Sequence, residues 1–326
     1  MPPVDQLPGD TLGAIQTLAE LFAWRVMQSP DAAAYLQFDV ASVAWTPVSW
    51  QQMALRIERT AQAMQASRLR RGERVAILLP NSIDAVCVDQ AALALGCVPV
   101  PMHALDYPAS IAFILAASDA SLLVVHSEAQ WLAIAGTATV LPYLRHIVIA
   151  TDTAASGDAA FGPPVTTLAA WLNGAAGVTR VERETARHDD LVALVHTSAT
   201  TGKPKGGTLT RENVLSNIKA TLLRVEPAAT DVFLFFLPLS HTFERTIGYY
   251  LPIAASCCVA HARSLALLPD NLRSVRRTIL VSVPRIYERA HGKLMEKLSA
   301  SRWKLAVSCS PIRWVGDIFA GHSTWP

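Results

Sequence analysis

Residues 191–207, which read LVALVHTSATTGKPKGG, are the stretch that decides the fold. An apolar run long enough for one buried strand leads into hydroxyl-bearing and small residues, and then into glycines and two lysines. Such a segment suits a polyphosphate, because glycine lets the backbone come close, hydroxyl groups donate or reach Mg²⁺, and lysine supplies charge. The pattern predicts a phosphate-binding loop after a buried strand, with a polar hairpin or a surface loop as the alternative.

A different phosphate-binding motif, the Walker loop, fails at two positions of this stretch. That motif needs a glycine five residues before its Gly-Lys pair and a serine or threonine directly after the lysine. Here the pair is Gly202-Lys203, and the two positions hold Thr197 and Pro204. A nucleotide switch of the Walker class is therefore disfavoured.

Residues 197–206, TSATTGKPKG, resemble the phosphate loop of the AMP-forming (adenylate-forming) acyl-CoA synthetases, which usually reads TSGTTGxPKG. The resemblance implies that the loop binds the phosphates of ATP and that Thr197 and Ser198 contact Mg²⁺. Ala199 replaces the usual glycine, which costs on the order of 1 kcal/mol if the backbone there has a positive φ. The residues implied in ATP binding are Thr197, Ser198, Ala199, Thr200, Thr201, Gly202, Lys203, Lys205 and Gly206.

A histidine in residues 237–250, LPLSHTFERTIGYY, is the second candidate site residue. His241 follows a predicted strand and opens a predicted helix, which puts it at the edge where α/β enzymes bind ligands. A structural histidine is one alternative. A metal ligand is the other, although Glu244 is the only partner that the segment offers.

The same segment resembles the LPLSHxxE motif of the long-chain acyl-CoA synthetases, and residues 281–288, VSVPRIYE, resemble another segment of that branch. The resemblance implies that His241 is catalytic and lies beside the acyl carboxylate and the adenylate. It also implies a substrate pocket formed by His241, Thr242 and Tyr249.

The composition fits a soluble α/β enzyme, since 51% of the 326 residues are hydrophobic. A formal net charge of +2 does not indicate the strongly basic surface that is typical of nucleic-acid-binding proteins. The five cysteines form no C-x-x-C pair, so a reducing cytoplasm is the expected compartment. Residues 246–260 are uncharged but shorter than the roughly 20 residues of a spanning helix. We expect a buried helix and then a strand there, with peripheral contact at the inner membrane face as an open alternative.

Helical and strand patterns alternate along the first half of the chain. Residues 74–79, 83–95 and 97–100 read as strand, helix and strand, which is one βαβ unit. The pattern repeats as far as a strand at residues 146–149. Alternation of this kind predicts the α/β class, with a doubly wound, mostly parallel sheet.

Two helix starts carry side-chain signals. Ser49 and Gln52 are spaced for a capping box at the start of a helix. Thr210, directly after the predicted phosphate loop, can cap a helix that begins at Arg211. Both positions therefore predict where a helix begins.

The resemblance implies the layered αβαβα sheets of the adenylate-forming large domain. A charged connector suggests a boundary between a first α/β subdomain, residues 1–188, and a second that carries the phosphate loop, residues 189–326. Members of the family continue with a Tyr-Gly-x-Thr-Glu segment, an aspartate for the ribose, a hinge and a small C-terminal domain with a catalytic lysine. None of these occurs here, so we expect an incomplete large domain without the C-terminal domain.

The implied reaction is that of a long-chain fatty acid–CoA ligase, with ATP, Mg²⁺ and coenzyme A. A fatty acid carboxylate attacks the α-phosphate of ATP to give an acyl-adenylate and pyrophosphate, and the thiol of coenzyme A then displaces AMP. Positioning and charge neutralisation are enough for such chemistry, and the chain has no Gly-x-Ser-x-Gly nucleophile elbow. The alternative is a catalytically incomplete fragment that at most binds ATP or the acyl substrate.

Overall fold

The structure is a computed structural model that describes residues 14–151, 163–178, 181, 190–197 and 204–300. The chain divides into two compact units, residues 1–281 and residues 282–326. The strands are β1 (Ala33–Asp39), β2 (Ala44–Ser49), β3 (Arg74–Leu78), β4 (Val98–Pro101), β5 (Ala120–Val125), β6 (His146–Ile149), β7 (Val165–Thr167), β8 (Leu191–Thr197), β9 (Lys205–Thr210), β10 (Val232–Phe235) and β11 (Cys258–His261). The helices are α1 (Leu18–Gln28), α2 (Trp50–Ala66), α3 (Ile83–Ala94), α4 (Pro108–Ala117), α5 (Glu128–Ala135), α6 (Leu168–Asn173), α7 (Arg211–Leu222), α8 (Leu251–Ala255), α9 (Leu268–Ser274) and α10 (Pro284–Ala300), and a π-helical segment, Glu244–Tyr250, directly precedes α8.

Five parallel strands form one sheet, in the order β4-β3-β5-β6-β7. The chain goes from β3 outward to β4 and then returns past β3 to β5, so the strand order reverses at β3. In open α/β sheets, ligands bind outside the carboxyl ends of the strands near such a reversal. The four strands β3 to β6 are buried along almost their whole length, as in parallel sheets covered on both faces. The predicted doubly wound parallel sheet is confirmed.

The strand before the predicted phosphate loop belongs to an antiparallel hairpin. β8 pairs with β9, with His196 opposite Gly206 and Thr197 opposite Lys205, and β8 also lies alongside β4. Residues 198–203, which connect the two strands, lie outside the described residues. Lys205 and Gly206, predicted to belong to the loop, lie in β9 because their backbones pair with β8. The strand pairing shows a hairpin, and the phosphate-binding loop between its strands stays a prediction.

A second sheet combines strands from distant parts of the chain, in the order β10-β11-β1-β2. β1 pairs in parallel with β11, with Tyr35 opposite Val259, and antiparallel with β2. On β10, Phe233 meets Ile279 in an isolated parallel bridge. This sheet joins residues from both sides of the subdomain boundary predicted at residue 188. The boundary itself lies outside the described residues and stays a prediction.

Helix starts follow the side-chain signals in the sequence. The Gln52 amide donates to the Ser49 hydroxyl at 3.2 Å, and the Ser49 amide donates to the Gln52 side chain at 2.9 Å. This is the predicted capping box of α2. Thr210 caps α7 in the same reciprocal way with Asn213. Both predicted helix starts are confirmed.

Residues 246–260 form the predicted buried helix followed by a strand, since they run through the π-helical segment and α8 into β11. The guanidinium of the buried Arg25 donates to the carbonyls of Ile253 and Ala254, both at 2.9 Å. These bonds satisfy carbonyls that have no partner inside the helix at its C-terminal end. Within the described ranges, no helix is both long enough and apolar enough to cross a membrane.

The second unit is described as far as residue 300 and consists there mainly of α10. The first residue of α10 is Pro284, at a position where the missing N–H of proline costs no hydrogen bond. The helix continues from there to Ala300.

Candidate functional site

A cavity of about 280 Å³ lies at the carboxyl ends of β4 and β8 and is lined by the predicted catalytic histidine. Sites at this edge are typical of α/β proteins. His241 and Ser240 reach it from the segment after β10, and His196 reaches it from the end of β8. The lining residues are Pro101, Met102, His103, Leu105, Asp106, Ile114, His196, Ser240 and His241.

The segment that carries His241 is held by Asn81, which follows β3. The Asn81 amide donates to the Leu237 carbonyl at 2.7 Å, and the Leu239 amide donates to the Asn81 side-chain oxygen at 3.3 Å. A backbone bond of 2.9 Å from the His241 amide to the Pro238 carbonyl closes the turn. The Asn81 side chain therefore holds the segment at Leu237 and at Leu239, and so determines where His241 lies.

His241 opens the helical turn that continues into the π-helical segment, as predicted. Its carbonyl accepts a hydrogen bond of 2.9 Å from the Arg245 amide. The side chains of His241 and Thr242 are both exposed, although Thr242 is not among the residues that line the cavity. The ring of His103 lies 6.5 Å from the ring of His241, measured between centroids. His241 is therefore accessible to a ligand, and its catalytic role stays a prediction.

His196 packs closely against the neighbouring strand. A Cβ added to Gly206 would lie 3.1 Å from His196 Nε2, so glycine gives the imidazole its space. Burial lowers the pKa of His196, because an apolar environment disfavours the charged ring. Its Nδ1 is buried without a hydrogen-bond partner in the part of the chain that the structure describes. A neutral imidazole at this position can donate from one nitrogen and accept at the other.

Three of the predicted phosphate-binding residues lie among the described residues. Thr197 ends β8, and Lys205 and Gly206 begin β9, so these three flank the connection between the strands. No group of three or more His, Cys, Asp or Glu side chains that could hold a metal ion occurs in the described ranges. The roles predicted in ATP and Mg²⁺ binding stay predictions. The predicted residues that lie outside the described ones are Ser198, Ala199, Thr200, Thr201, Gly202 and Lys203.

Tyr249, predicted to line the substrate pocket, lies in a buried polar network. Its hydroxyl donates to Asp89 Oδ2 at 3.2 Å and accepts from Gln90 at 2.7 Å. Arg245 donates to Asp89 Oδ1 at 2.5 Å and to the Val192 carbonyl of β8 at 3.3 Å. Buried charges and hydroxyls need such partners. Arg245 thus connects this network to β8. Tyr249 contributes no polar group to the cavity that His241 lines, and its place in a substrate pocket stays a prediction.

Glu244 is fully buried at the start of the π-helical segment. Burial raises the pKa of its carboxyl to about 8, and the nearby amides of Leu237 and Phe236 oppose this shift. Neither carboxyl oxygen makes a hydrogen bond of normal geometry within the described residues. A Cβ added to Gly248 would lie 2.6 Å from Glu244 Cδ, so the carboxyl occupies the space that a side chain there would need. The group is therefore predominantly protonated at neutral pH.

Asn81, His103, Asp106 and His196 are site residues that the sequence did not single out. Each lies within a few residues of a strand end, on β3, β4 or β8. A polar residue shortly after a predicted strand is the signal that could have found Asn81, His103 and Asp106, whereas His196 lies within β8 itself. The signal becomes selective only once the strand order shows which ends are neighbours.

The profile of the family described as AMP-binding enzyme matches residues 22–319. The chain belongs to the AMP-binding enzyme family. The chain is 27% identical over 288 residues to the long-chain-fatty-acid–CoA ligase FadD15 of Mycobacterium tuberculosis. This alignment covers 86% of the chain and 46% of FadD15. The chain is 36% identical over 125 residues to long-chain-fatty-acid–CoA ligase 6 of Mus musculus, in an alignment that covers 36% of the chain and 18% of that ligase. The chain spans about half the length of FadD15.

Solved structures of AMP-binding enzymes share the fold. The inhibitor-bound N-terminal domain of FACL13 from Mycobacterium tuberculosis matches with a TM-score of 0.70 at 24% identity, over 83% of this chain and 64% of that chain. At this identity the likeness shows the fold alone. The predicted membership of the adenylate-forming family and the predicted architecture of its N-terminal large domain are confirmed.

Proposed function

We propose that the chain carries the ATP-binding and acyl-binding part of a long-chain fatty acid–CoA ligase. One observation supports this most directly: His241 lines a cavity at the carboxyl end of β8, the strand that leads into the predicted phosphate loop. An acyl carboxylate in this cavity would lie between the histidine and the phosphates of an ATP bound at the loop. The long-chain acyl substrate is supported by relatives that are named as long-chain-fatty-acid–CoA ligases.

The proposed chemistry transfers an acyl group by way of an adenylate. The carboxylate oxygen of the fatty acid attacks the α-phosphorus of ATP, and pyrophosphate leaves. The sulfur of coenzyme A then attacks the acyl carbon, and AMP leaves. His241 positions the carboxylate, while backbone amides, hydroxyls and Lys205 bind the phosphates. Holding both reactants in line contributes up to about 7–11 kcal/mol in favourable cases.

The donor groups of the cavity fit an anionic ligand. Three imidazoles and the Ser240 hydroxyl line it, and all of them can donate hydrogen bonds to carboxylate or phosphate oxygens. Thr197 and Ser198 would hold Mg²⁺ through their hydroxyls, and the ion would neutralise phosphate charge when bound. Coenzyme A is the thiol co-substrate of this scheme.

The same proposal includes a cytoplasmic location with peripheral contact at the inner membrane face. Cys87, Cys257 and Cys258 are free, buried thiols, as suits a reducing compartment. A long-chain fatty acid partitions into bilayers, so the substrate itself would draw the protein to the membrane surface. Cell fractionation tests this, and recovery in a periplasmic fraction would contradict it.

Calorimetric titration with Mg·ATP and, separately, with dodecanoate tests the proposed function. We expect both ligands to bind to the full chain. Lys205→Ala should weaken ATP binding about 10-fold and leave dodecanoate binding unchanged, whereas His241→Ala should do the reverse. Lys219→Ala, which removes an exposed lysine of α7, is the matched control and should change neither affinity. Failure of the wild-type chain to bind either ligand would refute the proposal.

Fatty-acid-dependent ATP–pyrophosphate exchange separates substrate binding from catalysis. The chain spans about half the length of FadD15, so the assay measures how much of the exchange reaction these 326 residues support. Robust exchange would show that these 326 residues catalyse adenylate formation by themselves. Hydrolysis of GTP without fatty acid would instead favour a nucleotide switch and contradict the proposed function.

A further inference from the structure

The loop after β4 brings a second imidazole to the cavity of His241. His103 and Asp106 both line this cavity, and both lie in residues 102–106. The loop is held by hydrogen bonds to β3 and α5, and these bonds fix the position of His103. The hydrogen bonds that hold it are Met102 N to Ile77 O at 3.0 Å, Asp106 N to His103 O at 3.0 Å and Gln130 Nε2 to Ala104 O at 3.2 Å.

Asp106 lies beside one ring nitrogen of His103. Its Oδ1 lies 3.6 Å from His103 Nδ1, and the two residues are three positions apart in the chain. A carboxylate on one side of an imidazole fixes the ring orientation and the tautomer in many functional sites. Nε2 is then the nitrogen that remains for a group inside the cavity.

The cavity offers imidazole nitrogens from three directions. His103 approaches from the loop after β4, His196 from the end of β8, and His241 from the start of the π-helical turn. The rings of His103 and His241 are 6.5 Å apart between centroids. At this separation two hydrogen bonds of ordinary length can meet at one oxygen between the rings. Met102 and Ile114 supply apolar walls beside them.

We propose that His103 is a substrate-binding residue that holds an anionic oxygen opposite His241, and that Asp106 is the positioning residue that orients its ring. The inference rests on the proposed function, which supplies the anionic ligand. The oxygen belongs to the fatty acid carboxylate or to a phosphate of the nucleotide, and the recognition chemistry is the same for both. A hydrogen bond to a charged oxygen is stronger than one to a neutral oxygen, so loss of His103 should act selectively on charged ligands.

Titration of full-length variants with dodecanoate, dodecan-1-ol and Mg·ATP tests this selectivity. The alcohol has the same alkyl chain without the charge, so general damage to the pocket would weaken both lipids alike. For His103→Phe we expect dodecanoate affinity to fall about 10-fold while dodecan-1-ol affinity changes less than about two-fold. His103→Gln provides the same comparison if the phenylalanine variant does not fold. Asp106→Asn should lower the affinity ratio of dodecanoate to dodecan-1-ol about three-fold.

His126→Ala is the matched control, because His126 follows β5 at the same sheet edge, is exposed and does not line the cavity. A fall in ATP affinity with unchanged dodecanoate affinity would assign the bound oxygen to the nucleotide. Unchanged affinities of the His103 variants for both anions would overturn the inference. If His241→Ala still weakened dodecanoate binding in that case, the proposed function would stand. A wild-type chain that binds neither anion would refute both.

Discussion

Replacing Glu244 by glutamine should make the free energy of unfolding less sensitive to rising pH. Burial raises the pKa of this carboxyl from its ordinary value of 4.5 to about 8, whereas in the unfolded chain the group ionises near its ordinary value. Between the two values the folded state keeps a proton that the unfolded state releases. The free energy of unfolding therefore decreases as the pH rises through this window. Glutamine has nearly the same shape and does not ionise.

The size of the effect follows from the width of the window. At about 1.4 kcal/mol per pH unit, the interval from 4.5 to about 8 corresponds to about 5 kcal/mol. At pH 7 the wild-type protein has lost about 3 kcal/mol of this. The amide of glutamine adds a constant cost of about 1–3 kcal/mol, because its N–H donors are buried without partners. The pH dependence of the difference between the two proteins is thus the quantity to measure.

Urea denaturation at a series of pH values from 5 to 9, followed by tryptophan fluorescence, gives this difference. The free energy of unfolding of the wild type minus that of Glu244→Gln should decrease by about 3–5 kcal/mol between pH 5 and pH 8 and then level off. Glu226→Gln, at an exposed glutamate, is the matched control. A flat difference for Glu244→Gln would refute the reasoning, since the group would then ionise alike in the folded and unfolded chain.

Three further substitutions test contacts around the site. Gly248→Ala should lower the free energy of unfolding by about 1–3 kcal/mol, since its Cβ would lie 2.6 Å from Cδ of Glu244; wild-type stability in urea would contradict this packing. Arg245→Met should cost about 3–5 kcal/mol because Asp89 loses its buried partner, and adding Asp89→Asn should restore part of the thermal midpoint. Asn81→Ala should weaken dodecanoate binding about 10-fold and ATP binding less, because the segment that carries His241 loses its two hydrogen bonds to Asn81. Equal losses for both ligands in calorimetry would count against this role.

Sequence reasoning succeeded where the deciding contacts are local. The capping box of Ser49 with Gln52 and the cap at Thr210 involve residues three positions apart, so the pattern alone predicts them. The alternation of strand and helix predicted the parallel sheet for the same reason. The position of His241 at a strand end was predicted from its immediate neighbours. All of these depend on spacing that a single segment displays.

Contacts between distant segments could not be predicted in this way. Asn81 binds the carbonyl of a residue 156 positions later, and nothing in the segment around it marks that partner. The hydroxyl of Tyr249 bonds to Asp89, 160 positions earlier, and the motif that contains Tyr249 does not mark this partner either. His103 is a functional candidate only because β8 packs alongside β4, which brings the ends of the two strands together. Long-range packing decides such placements, and the sequence of one segment does not contain it.

The pairing of β1 with β11 also has a consequence for biosynthesis. Tyr35 and Val259 are neighbours in the sheet although about 220 residues separate them in the chain. At a translation rate of about 5–20 residues per second, roughly 10–45 s pass before β11 exists. During this interval β2 can cover only one edge of β1, and the other edge is an open template for strands of other nascent chains. Ribosome-bound chains of this protein should therefore need a holding chaperone at β1 until residue 261 has emerged.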